Sequence, residues 1–171
     1  VSRHTERALR LLDTLAQITA LEQGRVPFDH ANFVTSDLLE EAQRRSARVI
    51  AARRHRLTPV VPQSVPLASG DYYQTLIVLL DLLDNAARYT PEGGTIRLSV
   101  DSLGTHVLFS VADNGIGLSA EDMVNVGRPF WRGDQHPLVR LHSDSATGLR
   151  LFLAKQILAR QAGELIFSGE P

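Results

Sequence analysis

The chain has 171 residues, 43% hydrophobic and 22% charged, the balance of a globular domain with a sizeable core. A formal net charge of −1 gives the whole chain no footprint for nucleic acid or an anionic membrane, and no nucleic-acid partner is expected. The absence of cysteine excludes disulfides, thiolate metal sites and thiol nucleophiles, and the longest apolar run, 76–83, is too short to span a bilayer. A cytoplasmic setting fits, and a chain that begins with Val1 reads as a piece of a longer protein, which can carry a membrane anchor elsewhere.

In chain order, residues 5–23 predict a helix in which Leu11, Leu15, Ile18 and Glu22 recur at heptad-like spacing, with Gly24 ending it. It is read as a bundle or coiled-coil arm, the alternative being the first helix of the domain. FDHANFV (28–34) predicts a short strand. Thr35 or Ser36 is then placed to cap a helix through DLLEEAQRRSARVIAARRHR, acidic at its start and basic at its end. Residues 57–69 are extended, since Pro59, Pro62 and Pro66 exclude a helix. A further helix runs from about Ser69–Asp71 to Arg88. TIRLSVDSLGTHVLFSVAD predicts a hairpin turning near Ser102–Thr105, 118–147 read as irregular, and a helix over 148–161 leads into a strand, ELIFS. This order predicts a two-layer α/β sandwich, a mixed, largely antiparallel sheet covered on one side by three helices, with an N-terminal helical arm.

The helix over 71–88 carries a polar inlay. Tyr72, Leu76, Leu79, Leu80, Leu83 and Ala87 share one face, which is core. Asp81, Asn85, Arg88 and Tyr89 lie on the opposite side, within about 60° of Asn85, beside Val78 and Leu82. A half-apolar face with converging polar groups is the pattern of a ligand cleft, whereas a solvated helix end explains Arg88 and Tyr89 but not the deeper Asn85. A neutral amide there suits a hard cation already bound to phosphates, completing its octahedron without adding charge. Arg88 can then face phosphate oxygens and Tyr89 can cover a flat ring. In VADNGIG (111–117), a strand delivers Asp113 to a turn where Asn114, Gly115 and Gly117 permit positive φ and let a ligand approach the backbone. A carboxylate there can accept a hydrogen bond from an exocyclic amine such as that of adenine. Alone, DNGIG is equally a good turn.

Together these stretches resemble the catalytic and ATP-binding domain of sensor histidine kinases, of the GHKL superfamily with its Bergerat fold, which also includes gyrase-like and chaperone ATPases. DNAARYTPEGG looks like the N box, DNGIG the first glycine box, RPFWRGD (128–134) the F box, and TGLRLFLAKQILARQAGELIFS the second glycine box with its helix and strand. The resemblance runs in one order over most of 25–168. It implies a domain boundary, with 1–24 as the second helix of a dimerising phosphoacceptor hairpin and 25–171 as the catalytic domain. It further implies Asn85 as the Mg²⁺ ligand, Arg88 as a phosphate contact, Tyr89 lining the nucleotide site, and Asp113 on the adenine amine with Gly115 and Gly117 shaping that pocket. Residues 118–147 would be a mobile cover, with Arg128, Arg132 and Arg140 as phosphate partners and Phe130 and Trp131 holding it. Thr147, Gly148 and Leu149 would open the last helix toward the phosphates.

The chain departs from the family pattern twice. Gly-x-Gly-Leu-Gly-Leu reads here Ala146-Thr147-Gly148-Leu149-Arg150-Leu151, so two of three glycines are lost and Arg150 either weakens nucleotide binding or reaches a phosphate. Asp81 stands where these kinases commonly carry a second Asn, and is read as a support behind the metal ligand, a general base, or a helix polar residue.

No histidine among His4, His30, His55, His106, His136 and His142 has the acceptor context of an acidic residue followed by Pro. The expectation is therefore phosphoryl transfer from Mg-ATP to a histidine outside this sequence, with ATP, an acceptor helix and a response regulator as partners and a homodimer in full length. The alternatives are a degenerate nucleotide-poor regulatory or dimerising module, and a hydrolysing ATPase using Asp81.

Overall fold

The computed structural model describes residues 3–131 and 147–169. Their elements run α1 (Arg3–Glu22), β1 (His30–Val34), α2 (Thr35–Ala52), β2 (Arg56–Val60), β3 (Leu67–Asp71), α3 (Tyr72–Tyr89), β4 (Thr95–Leu103), β5 (His106–Asp113), α4 (Ala120–Asn125) and α5 (Arg150–Ala159). The architecture is a two-layer α/β sandwich in two compact units, Phe28–Ile116 and Val1–Pro27 with Gly117–Pro171. Among the described residues, no helix is long and apolar enough to cross a membrane.

In the unit 28–116, β1 pairs antiparallel with β3, while β4 lies between a parallel β2 and an antiparallel β5. Alternation makes one face of β4 core, with Ile96, Leu98 and Val100 each at most 1% exposed, and β5 adds Val107, Phe109 and Val111. Two helices cover that face. α2 contributes Leu38, Leu39, Ala42 and Ile50 from one face, and α3 contributes Leu76, Leu79, Leu83, Ala86 and Ala87. The N-terminus of α3 is set by Asp71, whose buried carboxylate accepts from the Gln74 amide at 2.9 Å and from the Asp29 amide at 2.8 Å.

Two local expectations are corrected in this unit, and a third is borne out. The N-cap of α2 is Val34, because the buried Thr35 hydroxyl donates instead to the Pro66 carbonyl at 2.9 Å. α2 also stops at Ala52, so Arg53, Arg54 and Arg56 fall beyond its last turn. The extended, Pro-bearing segment 57–69 supplies β2 and β3, with Pro59 at the strand face opposite Leu98 and Pro62 and Pro66 between the strands.

Glu41, on α2, accepts from Arg44 at 2.7 and 2.8 Å and from Arg45 at 2.6 Å. The hydrogen bonds from those two guanidinium groups hold its carboxyl down to about 2 against an ordinary 4.5. A depressed folded-state value contributes stability that is present above the unfolded value and lost as pH falls between about 4.5 and 2. In acid melts, Glu41→Gln is therefore expected to lose less stability than wild type over that window, and parallel profiles would contradict the assignment. The contribution is small because the cluster lies on the surface.

In the second unit, Gly24 closes α1 in the left-handed conformation (φ 67°), with its amide on Leu21 O at 2.9 Å and that of Arg25 on Ala20 O at 2.9 Å. α1 packs on α5 through its C-terminal half: Ile18 and Leu21 are buried and Arg160 donates to the Leu21 carbonyl. Leu9, Leu12 and Leu15 remain exposed. The stretch expected to be irregular contains α4, started by a capping box in which the Ser119 hydroxyl and the Asp122 carboxylate satisfy each other's amides. α5 begins at Arg150 rather than 148, and the expected strand ELIFS (164–168) has no ladder partner among the described residues.

Candidate functional site

The unit 28–116 brings Asp81, Asn85, Arg88 and Tyr89 onto one side of α3, all half-buried. Their opposite neighbours, Leu79, Leu83, Ala86 and Ala87, are fixed in the core, so the helix cannot rotate without exposing it. Arg88 is paired along the helix with Asp84 at 2.5 Å, with 16% and 28% of the two side chains exposed. That fixes the guanidinium near the helix C-terminus, where a cation is favourable.

The loop after β5 is locked against the end of this helix. Asp113 is exposed at the strand end, and its Oδ1 accepts from the Gly115 amide at 2.8 Å. Asn114 Oδ1 accepts from the Thr95 amide at 2.7 Å, and the Ile116 amide donates to the Tyr89 carbonyl at 3.2 Å. A Cβ on Gly115 would stand 2.4 Å from Asp113 Oδ1 and 2.6 Å from the Tyr89 carbonyl oxygen. Only glycine fits between the carboxylate and the backbone of α3's last residue. Thr95 was not among the expected site residues; Asn114, read as freeing the turn's backbone, pins it instead, and of Asn114, Gly115 and Gly117 only Gly117 takes a positive φ.

Among the described residues no cluster of three or more His, Cys, Asp or Glu could hold a metal alone. A donor set of one amide with a carboxylate one turn earlier suits instead a magnesium whose other ligands are phosphates and water. The exposed Asp113 carboxylate beside a glycine-lined turn suits a purine amine. A shallow depression of about 400 Å³ also touches Asp113, but Thr58, Arg97 and Ala112, which line it, pair across the sheet on the face away from the core. It is not the cleft expected on α3.

The second unit gathers other expected residues. The Phe130 amide donates to the Gly148 carbonyl at 2.9 Å, and the Leu149 amide to Thr147 Oγ1 at 3.3 Å. Gly148 takes φ 69°, and a Cβ there would meet backbone atoms of Phe130 and Trp131 at 2.7–2.9 Å, so the one retained glycine of the second glycine box is the one with no room for a side chain. Gly117 is also left-handed, at φ 69°. Phe130 is 60% exposed and Trp131 half-buried. Arg132, Arg140 and Ala146 lie outside the described residues, and Arg150 is the exposed first residue of α5.

Residues 70–171, more than half of the chain, match the family described as histidine kinase-, DNA gyrase B-, and HSP90-like ATPase. The chain belongs to this family. The sensor protein KdpD of Clostridium acetobutylicum is 29% identical over 94% of the chain and 17% of its own length. The full-length ShkA in complex with AMPPNP shares the fold at TM-score 0.75, with 20% identity over 95% of this chain and 34% of that one. Histidine kinase ThkA, solved with the response regulator TrrA, does so at TM-score 0.73, with 21% identity over 93% of this chain and 43% of that one. The chain spans between 17% and 36% of the length of curated relatives it matches.

Proposed function

We propose that this chain is the ATP-binding catalytic domain of a sensor histidine kinase, transferring the γ-phosphoryl group of Mg-ATP to a histidine on another segment. The observation that carries the reading is the locked junction of α3 with the 113–116 loop, where Gly115 has no room for a Cβ between Asp113 and Tyr89. It lies on a chain whose relatives include sensor proteins. In this reading Asn85 ligates Mg²⁺, with Asp81 one turn behind it, Arg88 leaves or shares Asp84 to meet phosphate, and Asp113 accepts from the adenine amine. Gly117, Thr147, Gly148, Leu149, Phe130 and Arg132 complete the nucleotide-binding set. Bound magnesium supplies charge neutralisation on the phosphates; the protein supplies position and donors.

Residues 1–24 are assigned as the second helix of a dimerising hairpin and 25–171 as the catalytic domain. The exposed Leu9, Leu12 and Leu15 on α1 support that boundary. A response regulator is the partner that receives the phosphoryl group next, and the acceptor helix belongs to the same or a partner protomer. The test is phosphotransfer in trans. With γ-labelled ATP the chain alone is expected to stay unlabelled, while a cognate acceptor-helix fragment takes up label; no label on that fragment, despite nucleotide binding, would reject kinase activity.

A further inference from the structure

The last turn of α3 is capped by side chains from elsewhere in its unit, and the reason is Pro91. In an α-helix the carbonyl of Ala87 would accept from the amide of residue 91, and proline has none. His55 fills the gap: its Nε2 lies 2.9 Å from Ala87 O. A carbonyl only accepts, so Nε2 carries the proton. The imidazole is buried, 8% exposed, and its Nδ1 has no hydrogen-bond partner. This ring is thus placed for a single bond.

The neighbouring groups complete the cap. Arg53 Nη1 donates to the Arg88 carbonyl at 3.4 Å, the Gly93 amide donates to Arg53 O at 3.1 Å, and the Ile116 amide takes the Tyr89 carbonyl. Thr90 closes on Ala86 O at 3.0 Å. The corner that delivers these donors contains Arg54 at φ 55°, a conformation that non-glycine side chains rarely adopt, and it is held by the His55 amide on Ile50 O at 3.1 Å. A strained turn and a buried imidazole are therefore spent on one helix end, the end that presents Asn85, Arg88 and Tyr89.

We propose that His55 is a positioning residue for nucleotide binding, acting by donating from Nε2 to the Ala87 carbonyl and so holding the turn that carries Arg88 and Tyr89. The inference rests on the nucleotide reading above, but the cap itself can be tested without it. His55→Phe keeps a ring and removes the donor; His55→Gln keeps an amide N–H donor. Both are compared with wild type well below their melting temperatures, by calorimetry with Mg-AMPPNP and by hydrogen exchange at the Thr90 and Ile116 amides. The Phe variant is expected to bind about tenfold more weakly and to exchange faster at both amides, with Gln restoring both toward wild type. Binding by the Phe variant equal to wild type, or a Gln variant as weak as Phe, would overturn the positioning role. Absence of binding by wild type would reject the nucleotide reading instead, and unchanged exchange in the Phe variant would reject the cap.

Discussion

Replacing Asn85 with Ala is expected to abolish the magnesium dependence of ATP binding and to reduce phosphotransfer on the order of a hundredfold or more. The amide is half-buried on α3 with Asp81 one turn before it, and it is outside the core cluster. Its loss should therefore leave the melting temperature close to wild type while the site fails. Asn85→Asp is the informative companion. It keeps an oxygen but adds a charge beside the phosphates, so it should bind ATP more weakly than wild type. An Asn85→Ala chain with unchanged, magnesium-dependent affinity would remove this residue from the site.

The second large effect is expected at Asp113. If its carboxylate accepts from the adenine amine, Asp113→Ala loses a hydrogen bond to a charged group, worth about 1.5–3 kcal/mol, or roughly ten- to a hundredfold in ATP affinity. The preference for ATP over GTP should shrink in the same variant, because guanine presents a carbonyl where adenine presents the amine. Competition binding with the two nucleotides reads both quantities. Asp113 also accepts from the Gly115 amide, so a fall in affinity for both nucleotides by the same factor would assign it to loop shape alone.

How much of this was legible in the sequence depends on the range of the interactions concerned. α3 was readable because its core face repeats with helical period and Asp71 supplies a local cap. The hairpin of β4 and β5 was readable from alternation, and DNGIG from its turn chemistry. The cap by His55 was not, because the groups that meet at Ala87 O come from separate elements and only Pro91 hints that a donor is missing. The same holds for β2 and β3. Prolines correctly excluded a helix, but the ladders to β4 and β1 that make them strands are long-range. Thr35 shows the opposite failure: a good local capping residue was drawn off by a distant carbonyl at Pro66. At the site, residue types and spacing pointed to Asn85 and Asp113, while the need for glycine at 115 became physical only once the Tyr89 carbonyl was seen beside it.

Gly148 stands where a Cβ would strike the backbone of Phe130 and Trp131, so this position requires glycine whatever Arg150 does. Calorimetric titration with ATP, with and without Mg²⁺, decides whether this chain carries a magnesium-nucleotide site. Saturable one-to-one binding, tighter with the metal and weakened by Asn85→Ala, is expected. Absence of saturable binding under either condition would contradict it.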